Sequence, residues 1–227
     1  MCTETSYGCV HITDFSIVLP KLGFINGEVV EVLLTTISAK GEPNTAPMGV
    51  WIEKGPRLAL KPYQETQSAR NMEITGEAVL NLSQNPELFL SFAFKEELRQ
   101  LQSVEYVSAK TVKPPRLFGA NAFVEVTVKP KHSPESAVPF KEFLCTVQHV
   151  EITSKFPMVF SRSRSAAIEC VIYATKIRAL HKTDPITVKH LAHQIGEYYA
   201  FVERIAPQSP AAEVIRKVEA LLPKWIK

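Results

Sequence analysis

The stretch Lys61-Pro62-Tyr63-Gln64-Glu65-Thr66-Gln67-Ser68-Ala69-Arg70-Asn71 gathers a lysine at the end of an expected strand, hydroxyls and an arginine at the start of an expected helix. Such a helix terminus leaves backbone N–H groups unpaired and carries the positive end of the dipole. With Lys61 and Arg70 adding charge-assisted donors, the chemistry on offer is binding of a phosphate. The same residues also suit an N-capped helix whose charges face water. A second run, Ser161-Arg162-Ser163-Arg164-Ser165, sets two arginines just before an Ala- and Ile-rich helix. It is suited either to another anion or to acidic residues of a partner subunit. His190, His193 and Glu197 lie within two helical turns, where a metal could be held, but no second helix repeats the pattern, so a solvated helix face and no metal site are expected.

Other chemistries are not written in the chain. None of the nine glycines falls as G-x-G-x-x-G, as a P-loop or as a G-x-S-x-G elbow. Cys2, Cys9, Cys145 and Cys170 form no C-x-x-C pair, so reduced, partly buried thiols are expected. No general acid or base announces itself.

The elements that must position these residues read as a β region followed by helices. Glu28 to Ile37 is rich in β-branched residues, and Ala39-Lys40-Gly41-Glu42-Pro43 follows with turn chemistry, so a strand enters a hairpin. The return segment Asn44 to Ile52 is extended, yet Pro47 cannot donate to a ladder, so something other than a neighbouring strand is expected beside it. Strands follow at Arg57–Lys61 and Ala78–Leu82, with a short helix around Ser68 to Ile74 between them. Pro86 to Leu101 is apolar on every face around Leu88 to Phe94 and is expected to be helical, with Asn85 as its cap. Two further strands, Ala122–Val128 and Phe143–Ile152, flank a Pro- and Ser-containing loop over Pro130 to Pro139. Beyond Ser165 the apolar period becomes helical, and Asp184-Pro185 and Ser209-Pro210 each read as an N-cap followed by proline in the first turn. The expectation is an α+β chain with two units, a β unit over residues 1–160 and a three-helix appendage over residues 161–227.

Thr35-Thr36, then Gly41-Glu42-Pro43-Asn44-Thr45-Ala46-Pro47-Met48-Gly49-Val50, then Thr66 and Arg70-Asn71-Met72, then Val79-Leu80-Asn81-Leu82, resembles the order of elements in the FMN-binding split-barrel superfamily, which includes flavin-reductase-like and pyridoxamine-phosphate-oxidase-like proteins. It is most similar to a mainly archaeal family of unknown function within that group, also at Arg164-Ser165-Ala166-Ala167-Ile168-Glu169 and at Ala174-Thr175-Lys176. The resemblance covers most of residues 25–180. It implies a six-stranded antiparallel split β-barrel that forms a homodimer, with FMN held in a cleft at the subunit interface. Carried over, Thr66, Arg70 and Asn71 would hold the phosphate, with Lys61 beside them, and Asn44, Ala46, Pro47 and Met48 would lie along the isoalloxazine. Thr36 opens the matching order and belongs to the same set. Arg162 and Arg164 would meet an anionic substrate or the second subunit's cofactor. The activity implied is hydride transfer from a nicotinamide or deazaflavin donor to the flavin, and onward to an acceptor. A non-catalytic FMN carrier or sensor, and a cofactor-free interaction module on the same barrel, are the alternatives.

Composition agrees with a globular protein. The 227 residues carry 26 Lys and Arg against 23 Asp and Glu, a net charge of +3, with both signs interleaved, which disfavours nucleic acid as a partner. No apolar run approaches the roughly 20 residues of a membrane span, and the first residues lack the basic and apolar regions of a secretory signal, so the cytoplasm is the expected compartment.

Overall fold

In the computed structural model, which describes residues 14–98, 105–131, 139–154 and 161–226, the elements run in the order α1 (Phe15–Lys21), β1 (Val29–Ile37), β2 (Pro43–Lys54), β3 (Arg57–Leu60), α2 (Gln67–Thr75), β4 (Glu77–Leu82), α3 (Pro86–Ala93), β5 (Tyr106–Val107), β6 (Arg116–Leu117), β7 (Ala122–Pro130), β8 (Phe143–Ile152), α4 (Arg162–Leu180), α5 (Pro185–Ile205) and α6 (Pro210–Leu221). Cys2, Cys9, the end of the helix expected to reach residue 101 and most of the loop expected over residues 130–139 lie outside the described residues.

Alternation along each strand closes the barrel. Val32 and Leu34 of β1 point inward and meet Val50, Leu58, Leu60, Leu80, Val124 and Val126 in one buried core. All pairings are antiparallel, in the closed order β1-β2-β3-β8-β7-β4, which leaves no unpaired strand around the ring as a whole. The β1–β2 hairpin turns at Gly41, whose φ of 84° needs no Cβ. Its register pairs Thr35 with Thr45, Leu33 with Pro47 and Glu31 with Gly49.

The opposite face of β1 is covered too, and that is why the strand is buried from Val32 to Ile37 without alternation. Leu33 points outward into a second core, built from α3 and the faces of α4, α5 and α6. The run Leu88 to Phe94 is apolar all round because α3 lies against β2 on one side and α4 and α6 on the other. The helix ends earlier than its apolar run suggests: Ala93 is its last residue, and Phe94, fully buried, stacks on Trp225 at 5.6 Å between ring centroids. The three C-terminal helices begin as their sequences require. Ser161, Asp184 and Ser209 each accept a hydrogen bond from a backbone N–H in the first turn, and Pro185 and Pro210 open α5 and α6. The Arg162-Ser163-Arg164-Ser165 run lies inside the first turn of α4 rather than before it. Among the described residues no helix is long and apolar enough to cross a membrane.

One piece was not legible. Residues 105–117 carry a small antiparallel pair, β5 and β6, laid on the outside of the barrel. It is clamped by Glu125 of β7, which is completely buried and accepts from the backbone N–H groups of Lys110 (2.9 Å) and Thr111 (2.7 Å), the Thr111 hydroxyl (2.6 Å) and Arg116 Nε (2.8 Å) and Nη2 (2.6 Å). Arg116 Nη1 also donates to Glu151 at 2.8 Å, and Lys110 Nζ stands 2.6 Å from the same carboxylate.

Candidate functional site

β2 is paired on both sides only at Val50 and Trp51: β3 reaches Val50 to Lys54, while Pro43 to Gly49 pair with β1 alone among the described residues. The gap beside Pro47 expected from the sequence is therefore present. In an antiparallel ladder alternate residues turn their N–H and C=O to opposite sides. Pro43 and Pro47 can continue the ladder only where the missing N–H would face away from β1, so Thr45 and Gly49, of the same parity, present both backbone groups to the open side. The result is a short row of backbone donors and acceptors without a strand partner among the described residues, beside the half-buried, apolar Ala46, Pro47 and Met48.

The head of that row meets the first turns of α2. Thr66 caps the helix, accepting from Ala69 N (3.3 Å) and donating to the Tyr63 carbonyl (2.8 Å). Asn71, fully buried, donates to Thr36 Oγ1 at 3.0 Å, and Thr36 donates to the Asn44 carbonyl at 3.3 Å. Asn44 Nδ2 in turn donates to Ser68 Oγ at 3.1 Å, and Gln67 Nε2 donates to Asn71 Oδ1 at 2.6 Å. Thr36, Asn44, Ser68 and Asn71 are thus linked in an assembly that fixes the α2 N-terminus, capped by Thr66, against the end of the β1–β2 hairpin. Arg70 stands on the same helix, exposed, with Nη2 donating to the Glu65 carbonyl. Lys61 begins the loop leading into the helix, with Nζ 5.6 Å from the centre of the Phe140 ring, itself tilted against Tyr63 at 4.4 Å.

Arg162 and Arg164 are elsewhere, in the first turn of α4. The Arg162 guanidinium lies 4.7 Å from the centre of the Phe201 ring and, with Ser165, Glu169, Tyr198 and Phe201, lines a surface pocket of about 300 Å³. Arg164 contributes its backbone N–H to the Ser161 cap. His193 Nε2 is 3.7 Å from Glu197 Oε1, both exposed on α5.

Four contributors are not among the site residues expected from the sequence. Ser68 and Gln67 were inside the singled-out stretch, and Gln67 stands one turn from Asn71, which is the only signal for its bond. Lys95 follows α3 and donates through Nζ to Asn44 Oδ1 at 2.7 Å; burial first, and Arg178 next, hold its ammonium below the usual lysine value. Nothing in the chain announces that contact. Tyr106 bonds Thr45 Oγ1 through its phenol oxygen at 2.9 Å, and burial raises its pKa while the Thr45 bond works against the rise.

The N-terminal domain model of a family described as proteins of unknown function, DUF447, matches residues 30–154. This chain belongs to the DUF447 family. A crystal structure of the FMN-bound DUF447 protein MM1853 from Methanosarcina mazei is similar over 89% of this chain and 98% of that one, at 18% identity and a TM-score of 0.70. Nitrilotriacetate monooxygenase component B from Mycobacterium thermoresistibile is similar over 57% of this chain and 72% of that one (14% identity, TM-score 0.47), and flavoredoxin of Desulfovibrio vulgaris (Miyazaki F) over 66% and 76% (11%, 0.45). No curated protein matches the sequence. The DUF447 match begins at Val30 in β1 and ends just past β8, so it spans the whole barrel and the candidate site within it.

Proposed function

We propose that this chain binds FMN along the open edge of β2 and acts as a flavin-dependent oxidoreductase. The observation that carries the reading is the meeting of that edge, Pro43 to Gly49, with the capped N-terminus of α2 through Thr36, Asn44, Ser68 and Asn71. A flavin needs an apolar wall, in-plane backbone partners for its pyrimidine edge and an anion site at one end. Ala46, Pro47 and Met48 supply the wall, Thr45 and Gly49 the backbone groups, and Thr66 with Arg70 and Lys61 the anion site. The FMN-bound family member supports the same reading. When bound, FMN would supply hydride acceptance from a nicotinamide or deazaflavin donor and onward reduction of an acceptor. The chain's own residues bind and orient it, and Thr36 and Asn71 hold the two halves of the site in register.

The barrel, residues 1–160, is the cofactor unit, and the helices of residues 161–227 set access to it. The protein works in the cytoplasm as a homodimer with FMN between subunits, and Arg162 and Arg164 face an anionic substrate or the partner. A carrier or sensor would bind FMN equally well without accelerating its reduction, whereas an interaction module would bind none.

The test is the visible spectrum of the purified protein before and after incubation with FMN and dialysis, with the released cofactor identified by mass and the protein's mass measured in solution. Flavin bands, an FMN mass and a dimer are expected. Arg70→Met is expected to weaken FMN binding about tenfold while leaving riboflavin binding unchanged, since one charge-assisted phosphate contact is lost. A protein that takes up no FMN refutes the reading.

A further inference from the structure

Across the outer face of β4, β1 and β2, Asn81, Thr35 and Thr45 stand side by side, each essentially fully buried. The Leu117 N–H donates to Asn81 Oδ1 at 2.7 Å, which settles which end of the amide is oxygen. Asn81 Nδ2 therefore donates, to the Leu33 carbonyl at 2.7 Å and to Thr35 Oγ1 at 2.9 Å. Thr35 Oγ1 lies 2.8 Å from Thr45 Oγ1, and Thr45 Oγ1 lies 2.9 Å from the Tyr106 hydroxyl.

An amide NH2 can only donate, and each hydroxyl has a single proton. Thr35 Oγ1 could also accept from Thr45, but its own proton, fully buried, would then be stranded; donating to Thr45 satisfies it, and the Thr45 proton then goes to the Tyr106 oxygen. Burial of Thr35 therefore favours this polarity along the relay. Tyr106 is then an acceptor within the row, and its own proton has no acceptor among the described residues. A half-buried donor left over at the end of a fully satisfied network is costly unless something accepts from it. The phenol is hydrogen-bonded to Thr45, which lies within the open edge between Asn44 and Ala46.

We propose that the Tyr106 O–H is a ligand-binding donor, aimed at a hydrogen-bond acceptor, a ring carbonyl or ring nitrogen, of the cofactor bound along Pro43 to Gly49. This inference rests on the FMN reading and adds a residue to it. The hairpin of β5 and β6 is then part of the site: Leu117, fastened to Asn81, is the ladder partner of Tyr106 and so holds the phenol in place.

The experiment is a fluorescence titration of FMN against wild type, Tyr106→Phe, Thr45→Val and Thr45→Ser, with the absorption spectrum of each complex and a thermal melt of each protein. Tyr106→Phe is expected to bind FMN about fivefold more weakly, the worth of one net hydrogen bond, and to shift the visible flavin bands toward those of a complex lacking that donor. Thr45→Ser keeps the relay and should match wild type, whereas Thr45→Val should share the spectral shift of Tyr106→Phe. Loss of thermal stability without any change in affinity or spectrum, in both Tyr106→Phe and Thr45→Val, overturns the inference while leaving FMN binding intact. A wild type that binds no flavin overturns both.

Discussion

Glu125 is a carboxylate with no exposed surface, tolerated because five donated hydrogen bonds reach its two oxygens. Arg116, only 4% exposed, gives two of them and also lies 5.1 Å from the centre of the Phe123 ring. Removing the cation strands a buried charge rather than merely deleting a contact. Arg116→Met is expected to lower stability by about 3 kcal/mol in chemical denaturation. Arg116→Met with Glu125→Gln should recover part of that loss, because the stranded charge is removed while the amide oxygen can still accept from Lys110 and Thr111. A double variant no more stable than the single one would mean that the remaining donors from Lys110 and Thr111 already satisfy the carboxylate. By contrast Glu31, on the outer face of β1, has its pKa raised, mainly by burial and then by Glu169, with Lys176 opposing. The charged form of that carboxyl works against the folded state at neutral pH.

At the scale of elements, the same cluster makes the β5–β6 piece sensitive to acid. Donation from Lys110, then from Arg116, pulls the Glu151 carboxyl from 4.5 to about 2, and His149 Nε2 stands 3.6 Å away. Burial acts to raise the Glu125 pKa, but donors from Lys110, Thr111 and Arg116 outweigh it and leave it below its ordinary value. For carboxyls with depressed pKa the stabilisation is complete above the unfolded value and is lost as pH falls through the folded one. Hydrogen exchange at the Lys110 and Thr111 amides is expected to lose protection between about pH 4.5 and 2, before the barrel strands open. Equal loss in β1 and β7 over that range would refute a locally released piece. This piece is also where sequence reasoning stopped. The β1–β2 hairpin was legible because β-branched residues, Gly41 and Pro47 each declare a backbone role, α5 and α6 because caps and apolar period agree, and α4 from its period alone. The segment around Tyr106 has no alternation, and its fold is dictated by a carboxylate in another strand that no local pattern reveals. The site divides the same way: Thr66, Arg70 and Asn71 share one helix turn, whereas Lys95 and Tyr106 arrive through tertiary packing.

For the molecule as a whole, two hydrophobic cores back onto β1, one inside the barrel and one among α3 to α6, with Leu33 in the helical core and Leu34 in the barrel. Helices and barrel are therefore not independent weights hung on a linker; a change at β1 is felt in both. The stretch from Pro43 to Gly49 has a different consequence at this scale. A run of unpaired strand backbone is a template on which any extended peptide, including the same run of another molecule, can lay down one more strand. Pro43 and Pro47 place two gaps in that template, and Lys95 stands over its head through Asn44. Pro47→Val restores an N–H and a β-branched side chain at the centre of the run. The variant is expected to fold and then to self-associate in a concentration-dependent way, read by light scattering and by a gain in β-type amide I absorbance. Saturating FMN should suppress that association, since the cofactor would occupy the backbone on which the added strand depends. A Pro47→Val protein that stays in its original assembly at high concentration without FMN would show that the prolines do not guard this edge. The segment proposed to receive a flat ring is thus also the segment where the chain must be kept from pairing with itself.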